Sequence, residues 1–146
     1  MKKIAVLGGG QVGSSVAKIL TDDGNDITLV DSNASVLEAL QDDNDIKTIQ
    51  GNASSPSVLK QAEIEDCDIL IATTANDEAN LVSCHLAKNL FNVPNVIARL
   101  RNAEYQANTS DFNLDLFSID SVISPSQLVT DFIKNIIKHP GAFQAF

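Results

Sequence analysis

Short apolar runs alternate with longer stretches of helical periodicity along most of this 146-residue chain. The run at 68–73 is almost continuously apolar, which is typical of a buried central strand. This alternation predicts an α/β fold, namely a doubly wound, mostly parallel six-stranded sheet with helices on both faces. The predicted strands are 3–7, 27–30, 47–50, 68–73, 96–100 and 121–123. The predicted helices are 11–22, 34–41, a short one from 56, 77–91, and one or two short ones within 102–116.

The first predicted strand ends in a glycine-rich turn, Gly8-Gly9-Gly10-Gln11-Val12-Gly13, which opens the first helix. Gly8 permits a tight exit from the strand, Gly10 lacks the Cβ that would hold a pyrophosphate away from the backbone, and Gly13 lets the helix pack close to the sheet. Free N–H groups at the start of the helix suit phosphate oxygens. Asp31, which ends the second strand, can accept hydrogen bonds from ribose hydroxyls. This order predicts a Rossmann-like dinucleotide-binding unit; a glycine turn that binds nothing is the alternative.

The composition limits the classes of function. The net charge of −9 repels nucleic-acid phosphates, so no nucleic-acid partner is expected. No apolar run approaches the roughly 20 residues that cross a bilayer, and glycines interrupt the N-terminal apolar run, unlike in a secretory signal. We therefore expect a cytoplasmic protein without direct membrane insertion. Cys67 and Cys84 are not spaced like a zinc site, so we expect reduced, structural thiols and no metal.

The last predicted helix starts at Ser124-Pro125 and carries a broad apolar face. This face either packs on the chain's own sheet or, if the sheet already has its helices, contacts a second subunit or another domain. We predict a nucleotide-binding Rossmann domain over 1–123 and a crossover, dimerisation helix with its tail over 124–146. The apolar residues of the face are Leu128, Val129, Phe132, Ile133, Ile136 and Ile137.

Groups that could catalyse hydride transfer are poorly represented. A short-chain dehydrogenase would require lysine four residues after Tyr105, but this chain has threonine there. His85 lies within the long helix and is expected at a surface or interface, while His139 belongs to a helix terminator. Cys84 is expected to be buried packing. We therefore predict a protein that reads a nucleotide without turning it over. The alternative is a small NAD-dependent oxidoreductase or its isolated cofactor domain.

Motifs that run nearly end to end along the chain resemble those of a known family. They are the glycine turn with Asp31, Gln50-Gly51-Asn52, Val58-Leu59, Thr74-Ala75-Asn76-Asp77-Glu78-Ala79-Asn80, Ile97-Ala98-Arg99-Leu100-Arg101, Ile123-Ser124-Pro125-Ser126-Gln127-Leu128-Val129-Thr130-Asp131 and His139-Pro140-Gly141-Ala142. The last two are the most specific, because glycine turns occur in many unrelated enzymes. The chain resembles the N-terminal lobe, an RCK (KTN) domain, of TrkA-type regulators of potassium uptake.

This resemblance implies a regulatory subunit that binds NAD(H) or ATP/ADP and controls ion flux through a membrane potassium transporter. It implies a peripheral location at the inner face of the cell membrane, and a homodimer or higher ring in which the last helix crosses to the neighbouring protomer. An adenylate-binding module unrelated to transport stays open as an alternative. Family members usually continue into a small C-terminal ligand-binding subdomain, which this sequence does not include.

The expected binding residues follow from the rule that ligands of open parallel sheets lie at the carboxyl ends of the strands. Gln11 and Val12 are expected to donate backbone N–H groups to phosphates, Asp31 and Ser32 to contact the ribose, and Asn52 with Ala53 to lie near the adenine. Arg99 is expected as the only basic residue at the mouth, contacting a phosphate or making a gating contact; an ion pair with Glu78 or a surface acid is the alternative. The full set is Gly8, Gly9, Gly10, Gln11, Val12, Asp31, Ser32, Asn52, Ala53, Thr74, Ala75 and Arg99.

Two of these positions bear on which nucleotide is bound. A 2′-phosphate about 4 Å from the Asp31 carboxylate would cost roughly 4 kcal/mol per unit charge at an effective dielectric near 20, so we expect NAD(H), ATP or ADP over NADP. Many relatives carry an acidic residue where this chain has Asn52. Because an amide both donates and accepts hydrogen bonds, binding of an adenine edge is expected to survive.

Overall fold

The computed structural model of the chain describes residues 1–43, 45–106 and 113–123. Within them the strands are β1 (Lys3–Leu7), β2 (Asp26–Asp31), β3 (Lys47–Gln50), β4 (Ile69–Ala72), β5 (Asn95–Arg99) and β6 (Ser121–Ile123). The α-helices are α1 (Gln11–Asp22), α2 (Ala34–Asp43), α3 (Pro56–Gln61), α4 (Asp77–Asn89) and α5 (Ala103–Gln106). Two short 3₁₀ helices cover Ile64–Asp66 and Leu114–Phe117.

The strands form one sheet in the order β3-β2-β1-β4-β5-β6, and every neighbouring pair is parallel. The chain therefore builds outward from β1 in one direction, returns to β4 beside β1, and builds outward in the other. The point where the order reverses lies between β1 and β4, and the loops that follow these two strands diverge there. The predicted α/β fold with a doubly wound six-stranded sheet is confirmed.

The core lies on both faces of this sheet, because the side chains of each strand alternate between them. Ile4 and Val6 of β1 pack in the cluster that α1 and α2 cover, whereas Ala5 and Leu7 pack in the cluster that α3 and α4 cover. All four side chains are fully buried. The continuously apolar β4 is buried along its whole length, as expected for a central parallel strand.

The apolar periodicity of the first helix predicts that Val12, Val16, Ile19 and Leu20 form its buried line, and the structure differs from this in part. Val16 and Leu20 are buried as expected, but Val12 and Ile19 are partly exposed. Gly13 and Ala17 are buried instead. The helix turns its small residues to the sheet because its first turn approaches the backbone of β1 closely, which a larger side chain would prevent.

The predicted helix at 77–91 is two residues shorter in the structure, and Asn76 caps its start. The Asn76 Oδ1 accepts a hydrogen bond from the backbone N–H of Ala79 at 2.8 Å. The predicted crossover helix and tail at 124–146 lie outside the described residues. In the described part of the chain, no helix combines the length and the apolar character that a membrane crossing requires.

Candidate functional site

A cleft of about 650 Å³ opens at the carboxyl ends of the strands, beside the point where the strand order reverses. Its volume lies in the range of small-molecule sites. The structure brings eleven of the twelve predicted residues to its wall; Gly9 is the exception. The eleven are Gly8, Gly10, Gln11, Val12, Asp31, Ser32, Asn52, Ala53, Thr74, Ala75 and Arg99.

The glycine turn holds its shape through close backbone contacts. Gly8 has a φ of +98°, and a Cβ there would lie 2.9 Å from the backbone of Thr74. A Cβ on Gly13 would collide with the carbonyl oxygen of Gly8 and come within 2.8 Å of the Thr73 Oγ1. The turn therefore requires glycine at Gly8 for conformation and at Gly13 for space.

The first turn of α1 leaves backbone donors without partners. Gly10 precedes the helix without a side-chain cap, and the first paired N–H is that of Ser14, which donates to the Gly10 oxygen at 2.8 Å. In the described part of the chain, the N–H groups of Gln11 and Val12 have no hydrogen-bond acceptor. A Cβ on Gly10 would meet no atom within 4 Å, so the space in front of these donors is open. An anion can enter there.

Asp31 ties the glycine turn to the end of β2. Its Oδ2 accepts a hydrogen bond from the backbone N–H of Gly9 at 2.7 Å, and its Oδ1 accepts one from the N–H of Asn33 at 2.8 Å. Each carboxylate oxygen keeps a further lone pair for a ligand hydroxyl. Gly9 itself is buried, and a Cβ on it would lie only 2.7 Å from the Val36 side chain. Gly9 thus orients Asp31 from behind the cleft wall.

The loop after β3 is attached to the same edge. The N–H of Gly51 donates to the backbone oxygen of Asp31 at 3.0 Å. The Oδ1 of Asn52 accepts the N–H of Ser54 at 2.9 Å, which turns the loop and leaves the Asn52 amide NH₂ for another partner. Ala53 is buried, and its oxygen accepts a hydrogen bond from the Ser83 hydroxyl at 3.1 Å.

The opposite edge depends on Asn80 and Asp77, two α4 side chains to which no site role was assigned from the sequence. The Asn80 Oδ1 accepts hydrogen bonds from the Thr74 N–H at 3.0 Å and the Thr74 hydroxyl at 2.6 Å, and its Nδ2 donates to the Arg99 oxygen at 2.7 Å. Asp77 accepts the N–H groups of Arg101 and Asn102. The signal in the sequence was an asparagine on the inner face of a helix, beside the buried Leu81 and Cys84.

Two arginines reach the cleft rather than one. Arg101 lines it together with Arg99, so the expectation of a single basic residue was wrong. Burial lowers the pKa of Arg99, and the positive charge of Arg101 lowers it further. In the described residues Arg99 has no ion pair with an acid. Glu78, its alternative partner, instead accepts a hydrogen bond from the Tyr105 hydroxyl, which raises the pKa of Tyr105.

The remaining groups with catalytic potential lie away from the cleft walls. His85 is exposed on α4, where its ring meets the edge of Phe117 with centroids 6.3 Å apart. Cys84 is fully buried and directs its thiol to the Ile97 oxygen at 3.7 Å, and burial raises its pKa. In the described part of the wall the charged side chains are Asp31, Arg99 and Arg101. His139 lies outside the described residues.

Comparison with known proteins places these features in context. The family model described as the TrkA-N domain matches residues 4–125, which confirms the resemblance seen in the motifs. The Trk system potassium uptake protein TrkA of Haemophilus influenzae is 47% identical over 143 residues, which cover 97% of this chain and 31% of that protein. The protein of the same name from Vibrio alginolyticus is 45% identical with the same coverage. This chain spans about a third of the length of these relatives.

Solved structures share the fold at lower identity. The TrkA-N domain of the inner membrane protein ybaL from Escherichia coli superposes with a TM-score of 0.74 at 15% identity, covering 94% of this chain and 95% of that one. The GsuK channel bound to NAD superposes with a TM-score of 0.70 at 23% identity, covering 99% of this chain and 25% of that one. GsuK bound to ADP superposes with a TM-score of 0.69 at 24% identity, covering 95% of this chain and 34% of that one. At these identities the likeness is one of fold.

Proposed function

This chain belongs to the TrkA-N domain family, and on that premise we propose that its cleft binds NAD(H) or ATP/ADP and that the chain is the nucleotide-sensing part of a potassium uptake regulator. The nucleotide phosphates contact the N–H groups of Gln11 and Val12. The ribose contacts Asp31 and Ser32, and the adenine lies against Asn52 and Ala53. Thr74, Ala75 and Arg99 border the rest of the ligand.

One observation carries this proposal: the unpartnered N–H groups of α1 and the Asp31 carboxylate face the same cleft. The first attracts anionic oxygen, and the second accepts hydrogen bonds from sugar hydroxyls. The hydrogen bond from the Gly9 N–H to Asp31 holds the two at a set separation. An adenosine phosphate offers both kinds of group along one molecule, which is why it suits this cleft better than inorganic phosphate or a free sugar.

A regulatory role suits the cleft better than a catalytic one, because a hydride-transfer enzyme needs a group that moves a proton beside the reacting carbon. Tyr105 and His85 lie away from the described walls. Two nucleotides that fill one cleft with different contacts shift the populations of its conformations. The relatives' shared description as potassium uptake proteins supports potassium flux as the process that is controlled.

The proposed setting is the cytoplasmic face of the membrane, with a membrane potassium transporter as partner and no nucleic acid. The acidic net charge and the relatives' description support it. We further propose a homodimer or ring through 124–146. Native mass spectrometry of the protein purified without added ligand reports the subunit number and any bound nucleotide; a strictly monomeric protein contradicts the assembly.

Isothermal calorimetry with NAD, ADP, ATP and NADP tests the binding proposal. We expect NAD, ADP and ATP to bind and NADP to bind more weakly, since its 2′-phosphate approaches the Asp31 carboxylate. In Asp31→Asn, NAD affinity falls by about 10- to 100-fold, the range for a lost charge-assisted hydrogen bond, and the NAD preference over NADP narrows.

Two results contradict specific parts of this reading. Equal NAD and NADP affinity in the wild type rejects the role of Asp31, and no heat with any of the four nucleotides rejects nucleotide binding as a whole. Turnover of a nicotinamide cofactor with common alcohols or hydroxy acids, abolished in Tyr105→Phe, would establish the oxidoreductase instead.

A further inference from the structure

Asn80 is a buried amide whose polar atoms all have partners at the carboxyl ends of β4 and β5. Its side chain is completely buried. Besides the Thr74 donors and the Arg99 oxygen, its Nδ2 donates to the Thr74 oxygen at 3.1 Å. A buried amide with this many bonds is costly to displace, because each partner would lose its hydrogen bond away from water. Asn80 therefore fixes the spacing between the loops after β4 and β5.

Asp77 holds the next part of the same segment. Its Oδ2 accepts the Asn102 N–H at 2.8 Å, and its two oxygens lie 3.0 and 3.1 Å from the Arg101 nitrogen. Asp77 and Asn80 lie three residues apart, on one side of α4. Neither lines the cleft, whereas Arg99 and Arg101 both do. Side chains at the start of α4 thus form hydrogen bonds with the backbone of the segment that carries both cleft arginines.

Two neighbouring positive charges that lack a described acidic partner in the cleft repel each other. Strand pairing holds Arg99 at the end of β5. Beyond the strand, the hydrogen bonds of Asn80 and Asp77 hold the backbone against this repulsion, and the Asp77 carboxylate also offsets part of it at Arg99. Such preorganisation raises affinity, because a ligand that meets donors already in position does not lose binding free energy in ordering them.

We propose that Asn80 and Asp77 are positioning residues, which hold Arg99 and Arg101 at the phosphate end of the cleft, so that nucleotide affinity depends on two side chains that do not contact the nucleotide. The inference rests on the proposed nucleotide binding. It extends that function by assigning the start of α4 the role of presenting the arginines to the ligand.

Asn80→Asp tests this with a change of one polar group. The new carboxylate still accepts the hydrogen bonds from the Thr74 N–H and hydroxyl, but it sets an oxygen against the Thr74 and Arg99 carbonyl oxygens, which releases that strand end. ADP is the probe, because it carries the adenosine and pyrophosphate that NAD and ATP share. We expect about tenfold weaker ADP binding by calorimetry, the loss typical of one misplaced charge-assisted hydrogen bond.

Asn89→Asp is the matched control. Asn89 lies on the same helix, its Nδ2 donates to the His85 oxygen at 3.0 Å and to the Ser118 hydroxyl at 3.0 Å, and it is remote from the cleft. ADP affinity in Asn89→Asp should equal that of the wild type. An equal loss in both variants would mean a general weakening of α4, which overturns the proposal.

A double-mutant cycle separates positioning from plain destabilisation. If Asn80 acts through Arg99, then Asn80→Asp weakens ADP binding little further in a protein that already carries Arg99→Ala. Independent losses that multiply overturn the proposal, as does unchanged ADP affinity in Asn80→Asp. Should Asn80→Asp fail to fold, Asp77→Ala decides with the same cycle against Arg101→Ala. A wild type that binds no ADP instead removes the proposed function itself.

Discussion

The two edges of the cleft are built by different means. At the edge formed after β1, β2 and β3, pairs of backbone groups supply contacts besides those of the Asp31 carboxylate: the Gly8 N–H donates to the Val30 oxygen at 2.8 Å, and the Gly51 N–H to the Asp31 oxygen at 3.0 Å. We call this the glycine edge. At the edge formed after β4 and β5, which we call the arginine edge, Asn80 and Asp77 supply the contacts through their side chains.

This difference teaches where each edge can change. At the glycine edge, Gly8, Gly9 and Gly13 leave no room for a side chain, so a substitution at any of these three positions adds atoms where space is lacking. The arginine edge depends on hydrogen bonds from a helix, which can be lost one at a time without filling space. We expect the first edge to be a rigid phosphate and ribose seat, and the second to be where different ligands produce different positions.

The largest expected effect is the loss of the glycine edge in Gly13→Ala. The added methyl group overlaps the Gly8 oxygen and crowds the Thr73 hydroxyl, which donates to the Leu7 oxygen at 3.0 Å. We expect the free energy of unfolding to fall by about 3 kcal/mol or more, as in severe overpacking, measured by urea denaturation. Gly10→Ala is the control, since its methyl group meets open space, and should change that free energy by less than about 1 kcal/mol. Equal losses in the two variants would contradict the distinction.

A smaller effect is expected at Ser83, whose hydroxyl joins the two edges. It is fully buried, and its single proton is shared between the Ala79 oxygen at 2.6 Å and the Ala53 oxygen at 3.1 Å. Ser83→Ala should lower the free energy of unfolding by about 1 kcal/mol, the typical net contribution of one buried hydrogen bond. The exposed Ser15→Ala on α1 is the matched control and should not destabilise the chain. A stable Ser83→Ala protein would mean that the edges are not coupled through this hydroxyl.

The smallest effect is an alkaline loss of stability from the two buried thiols, Cys67 and Cys84. Burial raises the pKa of Cys67 from 9.0 to about 11 and raises that of Cys84 as well. Thiols released on unfolding ionise near pH 9 while the folded ones stay protonated, so stability falls as the pH rises from about 9 towards about 11. At about pH 9.5 each thiol should lower the free energy of unfolding by less than about 1 kcal/mol relative to pH 8, as measured by urea denaturation. Cys84→Ala should flatten this dependence; an unchanged slope would contradict it.

The sequence predicted the glycine edge well because each requirement there is local. Gly8 must adopt a positive φ, and Gly13, five residues later, must leave room for the carbonyl oxygen of Gly8. Asp31 directly follows an apolar run. The predicted strand bounds 3–7, 47–50 and 121–123 agree with the structure, and the other three strands differ by one residue at each end. Of the residues predicted to form the buried line of α1, Val12 and Ile19 are only partly buried, because periodicity alone does not say which row of side chains approaches the sheet.

The arginine edge was predicted only in part. Arg99 was found because it ends a strand, but Arg101 was not, because its place at the cleft depends on how Asp77 turns the chain after β5. Asn80 carried no assigned role, since its partners lie 6 and 19 residues away along the chain. Which residues meet across such distances is settled by the packing of helix on sheet.

By itself the sequence determined the alternation of strands and helices, the turn that needs glycine, and the acid that follows the second strand, because these depend on backbone conformation and on neighbours within a few residues. Tertiary structure alone decided that Gly9 anchors Asp31 from behind the wall, that two arginines share the cleft, and that α4 holds them there. Those features are hydrogen bonds and charges between segments that meet only when the sheet has formed.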